Sequence, residues 1–345
     1  MYALEQEIQE QPEVLRRLLY WERDEVARLA DVLRRRAPRF AVLAARGSSD
    51  NAARYGQYLL GAVNGLPVAL ATPSLFTMYR CPPRLTDALV IAISQSGQSP
   101  DIVAVVEEGR QQRALTLALT NDPDSPLAQT AEFVLRLHAG PERSIAATKT
   151  YTASLFALAM LSAAWAEDEG MWATLQSVPD ALTQVLASAP AIRQASERYR
   201  YMNACVVVSR GYNYATAYEI ALKLKELTYI LAEPYSSADF QHGPVALVER
   251  GFPVIAVVPE GVMAPEMTHF LRQLREREAE LLVIAAQEEV LALAQTPLPL
   301  PGGIPEWASP MVAVVPGQLL ALGLTQARGL DPDHPRGLHK VTRTV

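Results

Sequence analysis

Residues 41–47 read AVLAARG and residues 205–211 read CVVVSRG, each a short apolar run that ends in Arg-Gly and precedes a helical pattern. Gly47 and Gly211 stand 164 residues apart, and the same offset carries VIAIS at 90–94 onto VIAVV at 254–258 and TLALT at 116–120 onto ELLVI at 280–284. Three strand candidates that recur at one spacing point to a duplicated unit. Helical stretches separate them, at 50–62 and 215–227 after the first strand and at 101–113 and 266–279 after the second. Near-continuous apolar strands joined by helical crossovers fit parallel sheets covered on both faces. The fold class is therefore α/β, with domains over about 30–168 and 190–330 and an N-terminal helical extension over 1–29. Pro179 and Pro190 are expected to break the helical material between the domains. The terminal segment 331–345 carries turn signals at Asp331-Pro332, His334-Pro335 and Arg336-Gly337, and by composition alone reads as a disordered tail.

Size agrees with two cores, since 345 residues compare with roughly 150 per domain. The 31 Lys and Arg against 37 Asp and Glu give a formal charge of −6. A mildly acidic chain has no global attraction for nucleic acid or an anionic membrane, although a local pocket can still hold a small phosphorylated ligand. Cys81 and Cys205 have neither metal-site spacing nor the density of a disulfide scaffold, which fits a reducing, cytoplasmic compartment. The acidic opening with Arg16 and Arg17 does not resemble a signal segment. Apolar runs such as 40–45 and 88–93 are far shorter than the roughly 20 residues that span a bilayer. Histidines 138, 242, 269, 334 and 339 form no HExxH arrangement, and neither metal nor cofactor is expected.

The densest chemical signal follows the second strand, where Ser94-Gln95-Ser96-Gly97-Gln98-Ser99 runs into Pro100. Small hydroxyl side chains and a permissive glycine let backbone donors approach an anion at a helix N-terminus, as a phosphate site requires. The corresponding segment of the second half is Val258-Pro259-Glu260-Gly261, where proline removes a donor and a carboxylate repels phosphate. Two further turns, Arg46-Gly47-Ser48-Ser49 and Ser144-Ile145-Ala146-Ala147-Thr148-Lys149, can reach the carboxyl edge of a parallel sheet, although Ser and Thr are also ordinary helix caps. Neither a GxxxxGK[ST] loop nor a GxGxxG fingerprint after the first strand is present. Glu219, Lys223 and Glu226 recur at i, i+4 and i+7, which places them on one side of a helix; on that helix alone, a solvated ion-pair ladder explains them. His242 and Gly243 lie in the loop that follows, and an imidazole with a carboxylate suits proton transfer near neutral pH.

Five segments in order carry a family resemblance: SQSGQS at 94–99, AATKTYTA at 146–153, YEIALKLKELTYI at 218–230, AEPYSSADFQHGP at 232–244 and DPDHPRGLHK at 331–340. Together they resemble the isomerase portion of glutamine–fructose-6-phosphate aminotransferase, also called glucosamine-6-phosphate synthase, over nearly all of residues 30–345. The resemblance implies two tandem sugar-isomerase (SIS) domains, each a parallel sheet flanked by helices, with 331–345 as an active-site tail. It implies that Ser94, Gln95, Ser96 and Ser99 bind the sugar phosphate, with Gly47, Ser48, Ala147 and Thr148 in the binding set and Lys223 as a substrate-site lysine. It further assigns proton transfer between adjacent sugar carbons to Glu226, a supporting role to Glu219, ring opening to His242 supplied by a neighbouring subunit, and imine formation with the ketose to Lys340. A homodimer with shared sites follows from that assignment.

The sequence also departs from the family. Ala147 replaces a serine and so removes one hydroxyl, whereas Ser99 replaces a threonine and keeps one. The chain starts Met1-Tyr2-Ala3 and reaches its first strand candidate at Phe40, which leaves no room for a glutamine-hydrolysing domain. The expected reaction is therefore glucosamine 6-phosphate plus water giving fructose 6-phosphate plus ammonia. Deglycation of a fructosyl-amine 6-phosphate, simple aldose–ketose isomerisation, glutamine-independent synthesis and a non-enzymatic sugar-phosphate sensor are the alternatives.

Overall fold

A computed structural model describes residues 1–340. The chain forms two compact units that interleave along the sequence. One comprises Glu13–Glu142 and Lys149–Gln176, together with His339 and Lys340 of the tail; the other comprises Met1–Pro12, Arg143–Thr148 and Ser177–Leu338.

The first of these units holds a five-stranded sheet of β1 (Phe40–Ala44), β2 (Val68–Leu70), β3 (Ala88–Ile93), β4 (Leu115–Thr120) and β5 (Phe133–Arg136), ordered β2-β1-β3-β4-β5. Every pairing is parallel, with Phe40 opposite Ala88 and Leu89 opposite Leu115. Every residue of β3 and β4 is buried, as expected of strands covered on both faces. On one face, Val42, Ala44, Val90 and Ala92 pack with Ile102, Val105 and Val106. The i, i+3, i+4 spacing of those last three places them on one stripe of helix Pro100–Gln111. Helix Lys149–Ala166 is buried from Lys149 to Ala163. It packs on helix Gly47–Asn64, where a Cβ on Gly56 would lie 3.2 Å from Leu158 Cδ1.

The second unit holds β6 (Ala204–Ser209), β7 (Leu231–Ser236), β8 (Pro253–Val258), β9 (Glu280–Ala285) and β10 (Thr296–Pro299), ordered β10-β9-β8-β6-β7 and again parallel throughout. Read from the other edge, this is the order of the first sheet. Val206, Val208, Val254, Ala256 and Val258 pack with Met267, Phe270, Leu271 and Leu274 of helix Ala264–Glu276. Phe240 and Phe270, with rings 6.0 Å apart, are fully buried, and burial of each such side chain contributes about 1.5–3 kcal/mol. Helix Ser309–Ala327 is long and apolar enough to cross a membrane, but 89% of its apolar window is buried inside the protein. It is a core helix, pressed on helix Tyr214–Thr228 so closely that a Cβ on Gly317 would meet Ile220 Cγ1 at 2.3 Å.

Each sheet adds two strands to the three recurring candidates of its half; β2, β5, β7 and β10 lie at sheet edges and are partly exposed, which removes the apolar signal. Pro234, Pro297 and Pro299 sit on such edges, where a missing N–H costs no ladder bond. One sequence expectation needs correction. Pro179 does not break the chain; it lies inside helix Glu169–Leu186, where Leu175, Val178 and Leu182 are buried and Thr183 Oγ1 donates to the Pro179 carbonyl at 3.0 Å. Pro190 does open a helix, Ala189–Ser196, at a position whose N–H would have no partner within the helix.

Candidate active site

Parallel strands send all their carboxyl ends to one edge, and the loops that follow adjacent strands β1 and β3 meet where the strand order reverses, the usual ligand crevice of such sheets. The Ser94–Ser99 loop occupies that position. Its shape is set internally: Ser94 Oγ accepts from Gly97 N at 3.1 Å, and Gly97 has φ +61°, with a virtual Cβ only 2.1 Å from Ser125 Oγ. Only glycine fits there. Ser94 N donates to Leu119 O, Asn121 N to Gln95 O and Leu127 N to Gly97 O at 3.0–3.1 Å, so the loop is stitched to its surroundings before any ligand arrives. Gln95, Ser96 and Ser99 are left half-buried, and Ser99 makes no side-chain bond to helix Pro100–Gln111 although it occupies the cap.

Gly47, at φ +56°, opens helix Gly47–Asn64, with Ser48 in its first turn. Arg46 precedes it and binds the buried Asp101 through two nitrogens, Nε at 2.8 Å and Nη2 at 2.7 Å. That pair joins the turn after β1 to the helix after the serine loop. It also neutralises an acidic side chain that would otherwise oppose an anion there.

In the other unit, helix Tyr214–Thr228 brings together Glu219, Lys223 and Glu226. Lys223 Nζ lies 3.4 Å from Glu219 Oε1 and 2.6 Å from Glu226 Oε2. The side chains of Glu219 and Lys223 are 0% and 1% exposed, whereas that of Glu226 is 23% exposed. The solvated ladder is therefore excluded: this is a buried lysine that holds a carboxylate at the rim. The helix ends at Tyr229 in the left-handed region, φ +59°. Tyr229 Oη accepts from Arg336 N at 2.8 Å, and the Arg336 guanidinium stacks 4.1 Å from its ring. His242 caps the short helix Ser237–Gln241 and is exposed. Among the described residues no hydrogen bond joins it to Glu226. Ala147 and the buried Thr148 belong to this same unit. Their segment is held by Glu7 of helix Ala3–Gln9, whose carboxylate accepts from Arg143 N and from Ser144 N at 3.3 Å.

A model of the SIS domain family matches residues 36–164 and 202–321. The chain belongs to the SIS family. This SIS chain is 34% identical to glutamine–fructose-6-phosphate aminotransferase of Thermus thermophilus over 305 residues, 85% of the chain and 50% of that relative, so it spans about half the length of the curated relatives it matches. Among solved structures, a candidate phosphosugar isomerase from Silicibacter pomeroyi is 37% identical with a TM-score of 0.85, over 96% of this chain and all of that one. The C-terminal domain of glucosamine-fructose-6-phosphate aminotransferase from Francisella tularensis is 26% identical with a TM-score of 0.88, over 97% and 98%.

The tail of this SIS protein is anchored. Asp333 accepts from Ala3 N at 2.8 Å and Leu4 N at 2.9 Å, which caps the first helix. Lys340 Nζ donates to Glu142 Oε2 at 3.1 Å. The tail's last five positions, 341–345, lie outside the described residues. Sequence reasoning missed Glu142 and Glu7, both buried carboxylates in polar stretches whose composition reads as surface. Among the described residues, no group of three or more His, Cys, Asp or Glu is placed to hold a metal.

Proposed function

We propose that this protein is a phosphosugar isomerase that couples aldose–ketose isomerisation to deamination, converting glucosamine 6-phosphate and water to fructose 6-phosphate and ammonia. The observation that carries the reading is Glu226, a partly exposed carboxylate fixed at 2.6 Å by a lysine that is itself buried. A proton-transfer base needs access to substrate and a fixed position, and that arrangement supplies both. The serine loop takes the phosphate and His242 assists ring opening. Glu226 then removes the C2 proton of the open-chain amino aldose while the C1 oxygen takes a proton from the substrate ammonium, and return of the first proton to C1 leaves an iminium at C2. Water adds to C2, the C–N bond breaks, and ammonia departs from the ketose. Lys340 closes on the open-chain sugar and binds its ketose form. The relative from Thermus thermophilus bears a name that includes fructose 6-phosphate, which supports a 6-phosphorylated ketose at one end of the reaction. Exposure of His242 is compatible with its service in the site of a second copy.

The test is a metal-free assay of the purified chain with glucosamine 6-phosphate, in which ammonia and fructose 6-phosphate are measured separately. Equal release of both is the expected outcome. Isomerisation of a phosphosugar without ammonia would reduce the activity to simple isomerisation, and binding without turnover would make the protein a sensor.

A further inference from the structure

We propose that Glu142 is the positioning residue for Lys340: a preformed carboxylate seat that holds the tail amine in the ligand-free protein and yields it to the sugar. The inference rests on the role proposed for Lys340 above and adds the group that controls it. The Glu142 side chain is fully buried, while that of Lys340 is 27% exposed. Glu142 also accepts from Thr150 N at 3.2 Å and from Thr150 Oγ1 at 2.7 Å. Thr150 lies in the first turn of helix Lys149–Ala166, where unpaired amides and the helix dipole favour a carboxylate. The seat is therefore held by two donors of a rigid element and does not depend on the lysine. Of the two partners in the ion pair, Lys340 is the one able to leave, because it already reaches water and its departure strips no other group of its bond to Glu142.

A seated ammonium donates its hydrogen to carboxylate and cannot attack a carbonyl. Substrate must draw the amine away, so the seat keeps Lys340 close to hand without letting it react early. A carboxylate that served only to cap the helix would have no such link to the amine.

Two readouts in Glu142→Gln test this, since the substitution preserves shape and an acceptor but removes the charge. In ligand-free protein, acetylation of Lys340 by acetic anhydride, read by mass spectrometry with Lys225 as internal reference, should accelerate about tenfold, the scale of one lost charge-assisted bond. In the glucosamine 6-phosphate assay kcat should fall about tenfold with a smaller change in KM, and that loss should vanish when Glu142→Gln is made in a Lys340→Ala background. Unchanged labelling overturns the proposal. So does faster labelling with kcat intact, or a kcat loss that persists without Lys340. If Glu142→Gln fails to fold, Glu142→Asp, which retracts the carboxylate by one methylene, should give an intermediate labelling rate, and a wild-type rate overturns the proposal. A wild-type protein inactive on glucosamine 6-phosphate rejects the reaction proposed above, while the labelling comparison still decides whether the seat exists.

Discussion

The loops after β3 and β8 occupy equivalent places in two sheets of the same strand order, and they have opposite chemistry. Even their braces match: Arg46 binds Asp101 in one unit, and Arg210 binds Glu266 at 3.2 Å in the other, each joining the turn after the first strand to the first turn of the helix after the third. Yet Ser94–Ser99 presents hydroxyls, whereas the region of Pro259–Gly261 is occupied by the protein's own carboxylates. Glu306 Oε2 accepts from Val262 N at 2.8 Å, and Glu260 Oε2 accepts from Gly303 N at 2.7 Å. Gly261 has no room for a Cβ, which would meet Glu306 Oε2 at 2.4 Å. The first loop presents half-buried hydroxyls, whereas in the second a carboxylate already takes the Val262 amide. The scaffold is shared, and the two loops differ in a few side chains.

The largest expected effects concern the unit whose loop carries no serines, because the proposed reaction draws its proton-transfer groups from there. Glu226→Gln keeps the volume but removes the base, so turnover should fall by at least roughly 10²-fold while phosphate-dependent binding survives. Solvent-isotope incorporation at C1 and C2, measured beside ligand binding and thermal stability, checks this. Near-native incorporation in folded Glu226→Gln protein would eliminate Glu226 as the base. The exposed His242 leads to the next largest effect. Inactive His242→Ala and inactive Glu226→Gln proteins should partly restore activity when their subunits are exchanged, since one mixed site then holds both native groups. No recovery after demonstrated exchange would confine both residues to a single chain.

How far these assignments were legible in the sequence varies with how local each signal is. Strands β1, β3 and β4, with β6, β8 and β9, announce themselves as apolar runs because both faces are buried. Edge strands such as Val68–Leu70, with three residues and partial exposure, carry no such pattern. The serine loop stood out because its signal is local composition, and Gly97 is required by local geometry. Glu219, Lys223 and Glu226 were recognisable as a helix face, but their burial was not: i, i+4 spacing is the same for a solvated ladder and for a buried one, and only the packing of helix Ser309–Ala327 and strands β6 and β7 around this helix decides between them. Glu142 and Glu7 were invisible because their partners are far along the chain, Lys340 at a separation of 198 residues and Ser144 at 137.

A smaller effect sharpens the contrast between the loops directly. Ser96→Ala should weaken glucosamine 6-phosphate by roughly 1.5–3 kcal/mol if its hydroxyl meets the phosphate in a buried site, and should leave unphosphorylated glucosamine nearly unaffected. Calorimetric titration with the two sugars reads the difference. Equal losses for both, with the fold intact, would remove the serine loop from phosphate recognition. Glu306→Ala, which removes the carboxylate packed against the other loop, is the matching control, and phosphate affinity should be unchanged.

The smallest effect tests whether the second loop is electrostatically occupied as well as sterically filled. Burial is the main cause that pushes the Tyr212 phenol above its ordinary value, and the negative charge of Glu306 pushes it further in the same direction. A phenol whose folded value is raised favours the folded state below its unfolded value of about 10, and that stability is lost as pH rises toward the folded value. In Glu306→Gln the charge is gone and burial remains. The Tyr212 phenol should therefore move down but stay above the ordinary tyrosine value, and the loss of stability on alkaline titration should begin at the same pH as in the wild type, be smaller, and level off at lower pH. Selective ring labelling of tyrosine with NMR titration follows the phenol, and urea unfolding at a series of alkaline pH values follows the stability. A Tyr212 resonance that titrates identically in both proteins would mean that the Glu306 charge is not felt around this loop. The contrast with Ser94–Ser99 would then rest on the steric block at Gly261 and the missing proline donor alone.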